Sequence, residues 1–231
     1  MPMKASLNRR QALISAAAAA IAGPAFSAPA AKGAAAARES LRRLFGPRLA
    51  GANLTLSPSA GRSWYSVSGK AGQLTISGDT PVALVRGAYA YLNQAGLAHV
   101  SWEGDRIAQG GALPSASGAR VETPFRHRAY LNTCTYGYTT PWWGWTRWTR
   151  EIDWMAAHGV DMPLAMEGQE YVWRALWREF GLSEAELADY FSGPAFTPWQ
   201  RMGNIEGYRA PLPANWINKK KDLQVKILGR M

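Results

Sequence analysis

The sequence contains a single cysteine, Cys134, so no disulfide within the chain is available to it. Its three histidines, His99, His127 and His158, are scattered without the spacing of metal ligands, and no zinc site follows from them. Charged residues make up only 18% of the chain, against 47% hydrophobic and 11% aromatic residues. That balance excludes a disordered chain and supplies a globular core. Acidic residues are few, 16 against 26 basic ones, which leaves a formal charge of +10. The excess lies away from the aromatic residues. Residues 31–124 carry ten basic and five acidic side chains, whereas residues 125–231 carry thirteen and eleven. A phosphate-binding surface concentrates cations where its recognition residues sit, so the sequence argues against a nucleic-acid partner. The run Lys219–Lys221 reads as a solvated helix face.

The alanine-rich stretch Ala12–Gly23 falls short of the ~20 residues that span a bilayer. It follows Arg9-Arg10 in a segment without acids and precedes the small-x-small pattern Ala28-Pro29-Ala30. Residues 1–30 therefore read as an export signal, either twin-arginine-like or an ordinary secretory one. Both send the chain through the export machinery to the periplasm or beyond, with no stable membrane insertion after signal removal.

Residues 34–122 read as a small α/β domain. A helix is predicted over Arg38–Phe45, and half-buried strands over 52–57, 63–69 and 72–78 from their alternation. Thr80 and Pro81 open a second helix, as N-cap and first helical residue, and Gly96 closes it. A short strand follows in "AHVSW", and Pro114–Pro124 reads as a linker. Nothing in this domain looks catalytic.

Residues 125–231 read as strand, helix, strand, helix. Strands are predicted over 128–132 and 160–166, and helices over 146–159, Gln169–Phe180 and 184–191, the last opened by a Ser183–Glu186 capping box. Residues 193–213 read as a long Gly/Pro loop before a final helix carrying Leu223, Val225, Ile227 and Leu228. The order implies parallel βα units, two of the eight that a (β/α)8 barrel requires. The chain stops at Met231 inside a helix and so reads as a truncated barrel, the front part of a longer protein.

Asn132–Thr140 would follow the first barrel strand and Glu167–Glu170 the second, both at the C-terminal mouth where barrels carry their sites. Flat aromatic faces stack on the C–H face of a sugar ring, and Asn and Glu bond its hydroxyls. Asn132, Glu167 and Trp199 are accordingly expected around one sugar-sized hollow. Trp145, Trp148, Trp154, Trp173 and Trp177 fall at helical spacing and read as core, whereas Trp199 lies in a stretch without periodicity. Cys134 reads as a buried pocket-lining thiol rather than a nucleophile, having no histidine near it in sequence. Glu167 and Glu170 are too close along the chain to flank a scissile bond, and read as hydroxyl-binding or helix-opening residues.

Two long tracts, "YLNTCTYGYTTPWWGWTRWTREIDWMAAHGVDMPLAMEGQE" and "FSGPAFTPWQRMGNIEGYRAPLP", carry N-x-C-T, W-W-x-W-x-R-W-x-R-E-I-D-W-M-A, G-Q-E and G-P-A-F-x-x-W-x-R-M-G-N. They resemble the α-N-acetylglucosaminidases of glycoside hydrolase family 89, strongly over 125–231 and more weakly over 34–122. The resemblance implies an α/β domain followed by a (β/α)8 catalytic domain. It also implies a retaining exo-hydrolase acting on glycans with terminal α-linked N-acetylglucosamine through two glutamates, with no metal and no cofactor. It places both catalytic glutamates beyond Met231, so no catalytic residue is assigned here and this portion alone is expected to be inactive. What it carries over is pocket lining: Asn132, Cys134, Tyr138, Glu167, Trp199, Met202 and Asn204. This chain has Met166-Glu167 where the family pattern has Trp-Ser before G-Q-E. A non-catalytic carbohydrate-binding module is the alternative that uses the same aromatics.

Overall fold

In the computed structural model, residues 30–70, 72–205, 211–213 and 215–231 are described. Apart from Ala30, the expected export signal at 1–30 lies outside them. Helix α1 (Ala30–Phe45) leads through a 3-10 turn into strands β1 (Asn53–Leu56), β2 (Trp64–Lys70) and β3 (Gln73–Gly78). Helix α2 (Pro81–Gln94) opens as expected: Thr80 Oγ1 accepts from the Ala83 N–H at 3.1 Å, and Pro81 occupies the first turn. Gly96, at φ 69°, turns the chain out of it. Strands β4 (Ala98–Val100) and β5 (Asp105–Ile107) form a separate hairpin, and β6 (Ala116–Glu122) returns to the main sheet. The sheet order is β1-β3-β2-β6, with β1 parallel to β3 and the other pairs antiparallel. Leu41, Phe45, Ile76, Leu84, Tyr89 and Leu92 are among the residues of its buried core.

Strand β6 corrects the linker expected over Pro114–Pro124. Its small, polar residues suit an edge strand, where one side of the ladder faces solvent. Gly118, at φ 81°, lies beside the register shift opposite Ser66–Ser68, as a bulge requires.

The second half contains β7 (Ala129–Tyr130), α3 (Thr133–Thr139), α4 (Trp145–Ala157), β8 (Met162–Pro163), α5 (Gln169–Glu179), α6 (Glu184–Tyr190), α7 (Thr197–Arg201) and α8 (Trp216–Arg230). Strands β7 and β8 pair in parallel, Ala129 with Met162 and Tyr130 with Pro163. Helix α3 thus follows the C-terminal end of β7, and α5 to α7 follow that of β8. Two expectations change. Residues 193–213 are not loop throughout, because Pro194 and Pro198 each occupy the first turn of a short helix, where a missing N–H costs nothing. The strands expected over 128–132 and 160–166 shrink to two residues each.

Helix α4 joins the two halves. Its buried Asp153 accepts from Arg43 of α1 (Nε 2.6 Å, Nη2 2.9 Å) and from Arg230 Nη2 of α8 at 2.9 Å. Burial pushes the Asp153 carboxyl above its ordinary range, and the facing Arg43 guanidinium opposes this. Among the described residues no helix is long and apolar enough to cross a membrane. Asp153→Ala strands two guanidinium groups at this seam; a loss of about 3 kcal/mol is expected from urea unfolding.

Candidate functional site

The site grows from the turn after β7. Asn132 caps α3 in a capping box: its Oδ1 accepts from the Thr135 N–H at 2.9 Å, and Thr135 Oγ1 stands 3.2 Å from the Asn132 N–H. The cap uses the amide oxygen and leaves the two Nδ2 hydrogens outside it. Helix α3 then places Tyr136 inward, 1% exposed, and Tyr138 outward, 69% exposed. Gly137 lies against α7. A Cβ there would come within 2.8 Å of both Pro198 and the Trp199 ring, so only glycine permits this approach.

The contact brings four expected site residues into one surface cluster. The Tyr138 and Trp199 rings meet edge-on at 5.6 Å between centroids. Cys134 Sγ lies 3.8 Å from Met202 Sδ. Cys134 is exposed, not the buried thiol expected, because α3 turns that face away from its packed side. Gly203, at φ 72°, ends α7, and the exposed Asn204 closes the turn by donating its backbone N–H to Trp199 O at 2.9 Å. Asn132 and Asn204 therefore mark the start of α3 and the end of α7, at the borders of the Cys134–Tyr138–Trp199–Met202 ledge.

Glu167 is not on the ledge. It is 4% exposed and lies on the packed side of α3. Its Oε1 accepts from Trp148 Nε1 and from Lys220 Nζ, each at 3.1 Å, and the Tyr136 hydroxyl also bonds it. The expected hollow shared by Asn132, Glu167 and Trp199 is thus divided by α3, with Glu167 beneath it. Burial pushes the Glu167 carboxyl up and the Lys220 ammonium down from their ordinary ranges, each partner opposing the shift in the other. Lys220 also stands 5.0 Å from the Trp216 ring. This corrects the reading of Lys219–Lys221 as a solvated face: Lys220 lies in line with Leu223 and Ile227, three and seven residues on, and all three turn inward.

A second buried pair sits beside the first. Arg201 of α7 grips Glu170 of α5 through Nε (2.7 Å) and Nη2 (2.9 Å), and its guanidinium lies 5.2 Å from the Tyr136 ring centroid. This fixes α7, and Trp199 with it, over α5. Gly168, at φ 72°, allows α5 to start against α8, where a Cβ would meet Lys221 Cα at 2.8 Å. Of the tryptophans read as core, Trp148 is buried and Trp154, Trp173 and Trp177 are half-buried, whereas Trp145 is exposed. Among the described residues no group of three His, Cys, Asp or Glu side chains is placed to hold a metal.

Lys220→Met tests the buried pair. Removing the cation raises the Glu167 carboxyl further above its ordinary value of 4.5, so the folded state holds a proton that the unfolded state releases. Stability is then lost as pH rises above 4.5. The variant is expected to lose about 3–5 kcal/mol near neutrality, with a smaller deficit at pH 5 than at pH 8 in urea titrations.

Comparisons with known proteins converge on this half of the chain and the preceding domain. The model of the α-N-acetylglucosaminidase TIM-barrel domain matches residues 128–231, and that of the N-terminal domain of the same proteins matches residues 35–115. Human α-N-acetylglucosaminidase is 39% identical over 208 residues, which cover 87% of this chain and 28% of the human protein. The family 89 glycoside hydrolase from Clostridium perfringens, with two glutamates replaced by glutamine and bound to its substrate GlcNAc-α-1,4-galactose, superposes with a TM-score of 0.81 at 31% identity. That match covers 89% of this chain and 24% of the clostridial one. The same enzyme bound to PUGNAc superposes with a TM-score of 0.80 at the same identity and coverage. The chain thus spans about a quarter of the length of these relatives, 28% of the human protein and 24% of the clostridial one. On the two domain matches and these relatives together, the chain belongs to the α-N-acetylglucosaminidases of glycoside hydrolase family 89.

Proposed function

We propose that the whole enzyme carrying this chain is an exported, retaining exo-hydrolase that removes terminal α-linked N-acetylglucosamine from glycans. In this reading the chain supplies one wall of the sugar pocket. The observation that carries it is the ledge that the Gly137 contact assembles at the C-terminal end of β7. Tyr138 and Trp199 offer flat faces to the C–H surface of a pyranose, and the edge-on pairing holds the two rings at a fixed angle. Cys134 and Met202 add a polarisable, weakly polar patch suited to the methyl of an acetamido group. Asn132 Nδ2 and the Asn204 side chain supply hydrogen bonds at the two borders. Glu167 acts from beneath, holding Tyr136 and hence the helix that carries the ledge.

Catalysis in a retaining glycosidase needs two carboxyl groups facing each other across the scissile bond, one as nucleophile and one as acid/base. The four buried carboxylates among the described residues are each engaged by a cation: Glu151 by Arg147, Asp153 by Arg43 and Arg230, Glu167 by Lys220 and Glu170 by Arg201. Each is thus taken up by an ion pair in the interior, and the reading assigns the catalytic pair to residues outside this chain. The basic, alanine-rich first thirty residues support export; a mature N-terminus near Ala31 in the exported fraction would bear this out.

The 231-residue chain is expected to release no aryl group from an aryl α-N-acetylglucosaminide; turnover by it would place an acid pair within these residues. In the whole enzyme, Trp199→Ala is expected to lower kcat/KM on that substrate about tenfold or more, mainly through KM. Unchanged kinetics would remove Trp199 from the pocket. A whole protein that binds N-acetylglucosamine and never hydrolyses it would be a carbohydrate-binding module.

A further inference from the structure

Trp102 belongs to the turn between β4 and β5 in the N-terminal domain, and 43% of its surface is exposed. Its indole N–H nevertheless reaches a carboxylate with no exposure at all: Nε1 lies 3.1 Å from both oxygens of Glu151, on α4. Glu151 also accepts from Arg147 Nη1 at 2.7 Å and from the Tyr130 hydroxyl at 2.8 Å. Burial and the Glu151 carboxylate push the Tyr130 hydroxyl well above its ordinary range, so it stays a donor. Tyr130 is the last residue of β7. Leu131 follows at φ 68°, a left-handed conformation that a leucine adopts only when both flanks are fixed. Asn132 and its capping box fix one flank. On the other flank Tyr130 is held through its backbone, which accepts from Leu164 N–H at 3.0 Å, and through its side chain, which meets the Trp154 ring at 5.2 Å and ends the Trp102–Glu151–Tyr130 chain of hydrogen bonds.

We infer that Trp102 is a positioning residue for the sugar-binding ledge, acting from the neighbouring domain through Glu151 and Tyr130 on the exit of β7. The inference rests on the proposed function for its consequence, though the linkage itself stands on the geometry. The indole N–H, rather than the ring alone, is the link. The ring has its own contact, with the Arg147 guanidinium 5.3 Å from its centroid. That guanidinium also lies 4.0 Å from the Trp143 ring centroid. The N-terminal domain, in which no catalytic residue was expected, thereby acquires a role in the site: it holds the strained corner from which α3 departs.

Two variants separate this from general support of the fold. Trp102→Phe keeps an aromatic ring for Arg147 and deletes the donor; Tyr130→Phe deletes only the hydroxyl. In the 231-residue chain each is expected to raise amide hydrogen exchange across residues 131–139 about tenfold, with exchange across 169–179 unchanged. The double variant is expected to match either single one, because both break the same chain. In the whole enzyme, each is expected to raise KM for an aryl α-N-acetylglucosaminide about fivefold with kcat little changed. Wild-type exchange across 131–139 in Trp102→Phe would overturn the inference. So would additive effects in the double variant, or a wild-type KM in active enzyme. If the unmodified whole enzyme proved inactive on the substrate, the proposed function would fall, while the exchange measurements would still decide whether Trp102 controls this corner.

Discussion

The buried pair of Glu167 and Lys220 is the contact on which the architecture of the second half converges. Glu167 sits just past β8 and Lys220 in the outer helix α8, fifty-three positions apart in sequence and 3.1 Å apart in space. Trp148 of α4 and Tyr136 of α3 bond the same carboxylate. Four segments therefore meet at one carboxyl group. Two charges removed from water are tolerated only with such a full complement of partners, and removal of any partner leaves the others desolvated and unpaired. The value of this arrangement lies in geometry more than in net stabilisation: it allows one placement of α3 over β8 and α8.

From that placement the site follows. Tyr136 and Tyr138 lie on opposite sides of α3, so fixing Tyr136 against Glu167 aims Tyr138 outward. Gly137 lies between them and admits α7, which Arg201 ties to Glu170. The ledge is thus borne by two short helices, of seven and five residues, that would not be stable alone. The packed network beneath supplies the order that helix propensity does not. Helix α4 serves both sides: Trp148, Ile152 and Met155 pack into the second core, while Arg150, Glu151 and Asp153 reach partners in the N-terminal domain.

Much of the local structure was legible in the residues. Thr80-Pro81, Gly96 and the Ser183–Glu186 box punctuate helices for local reasons and act as read. Periodicity found α2, α4 and α5, and alternation found the first three strands. Composition misled where tertiary surroundings override it. The Ser/Gly/Ala stretch at 116–122 is a strand because β2 offers it an open ladder. The proline-rich stretch at 194–201 is helical because proline suits a first turn. The capping box at Asn132–Thr135 was also present in the sequence, as an Asn three residues before a Thr, and announces α3 to a reader seeking caps.

By itself, the sequence determined the elements with a clear period or cap, the family and a set of candidate site residues. Those properties rest on periodicity, capping and the order of motifs, all of which act over a few residues. Only the tertiary structure decided which of those candidates gather on one surface and which are buried. It sent Glu167 and Lys220 into the interior, kept Cys134 at the surface and linked Trp102 to the end of β7. Such assignments turn on which partners meet a polar group after residues tens of positions apart have come together, and burial and pairing of that kind leave no local mark on the chain.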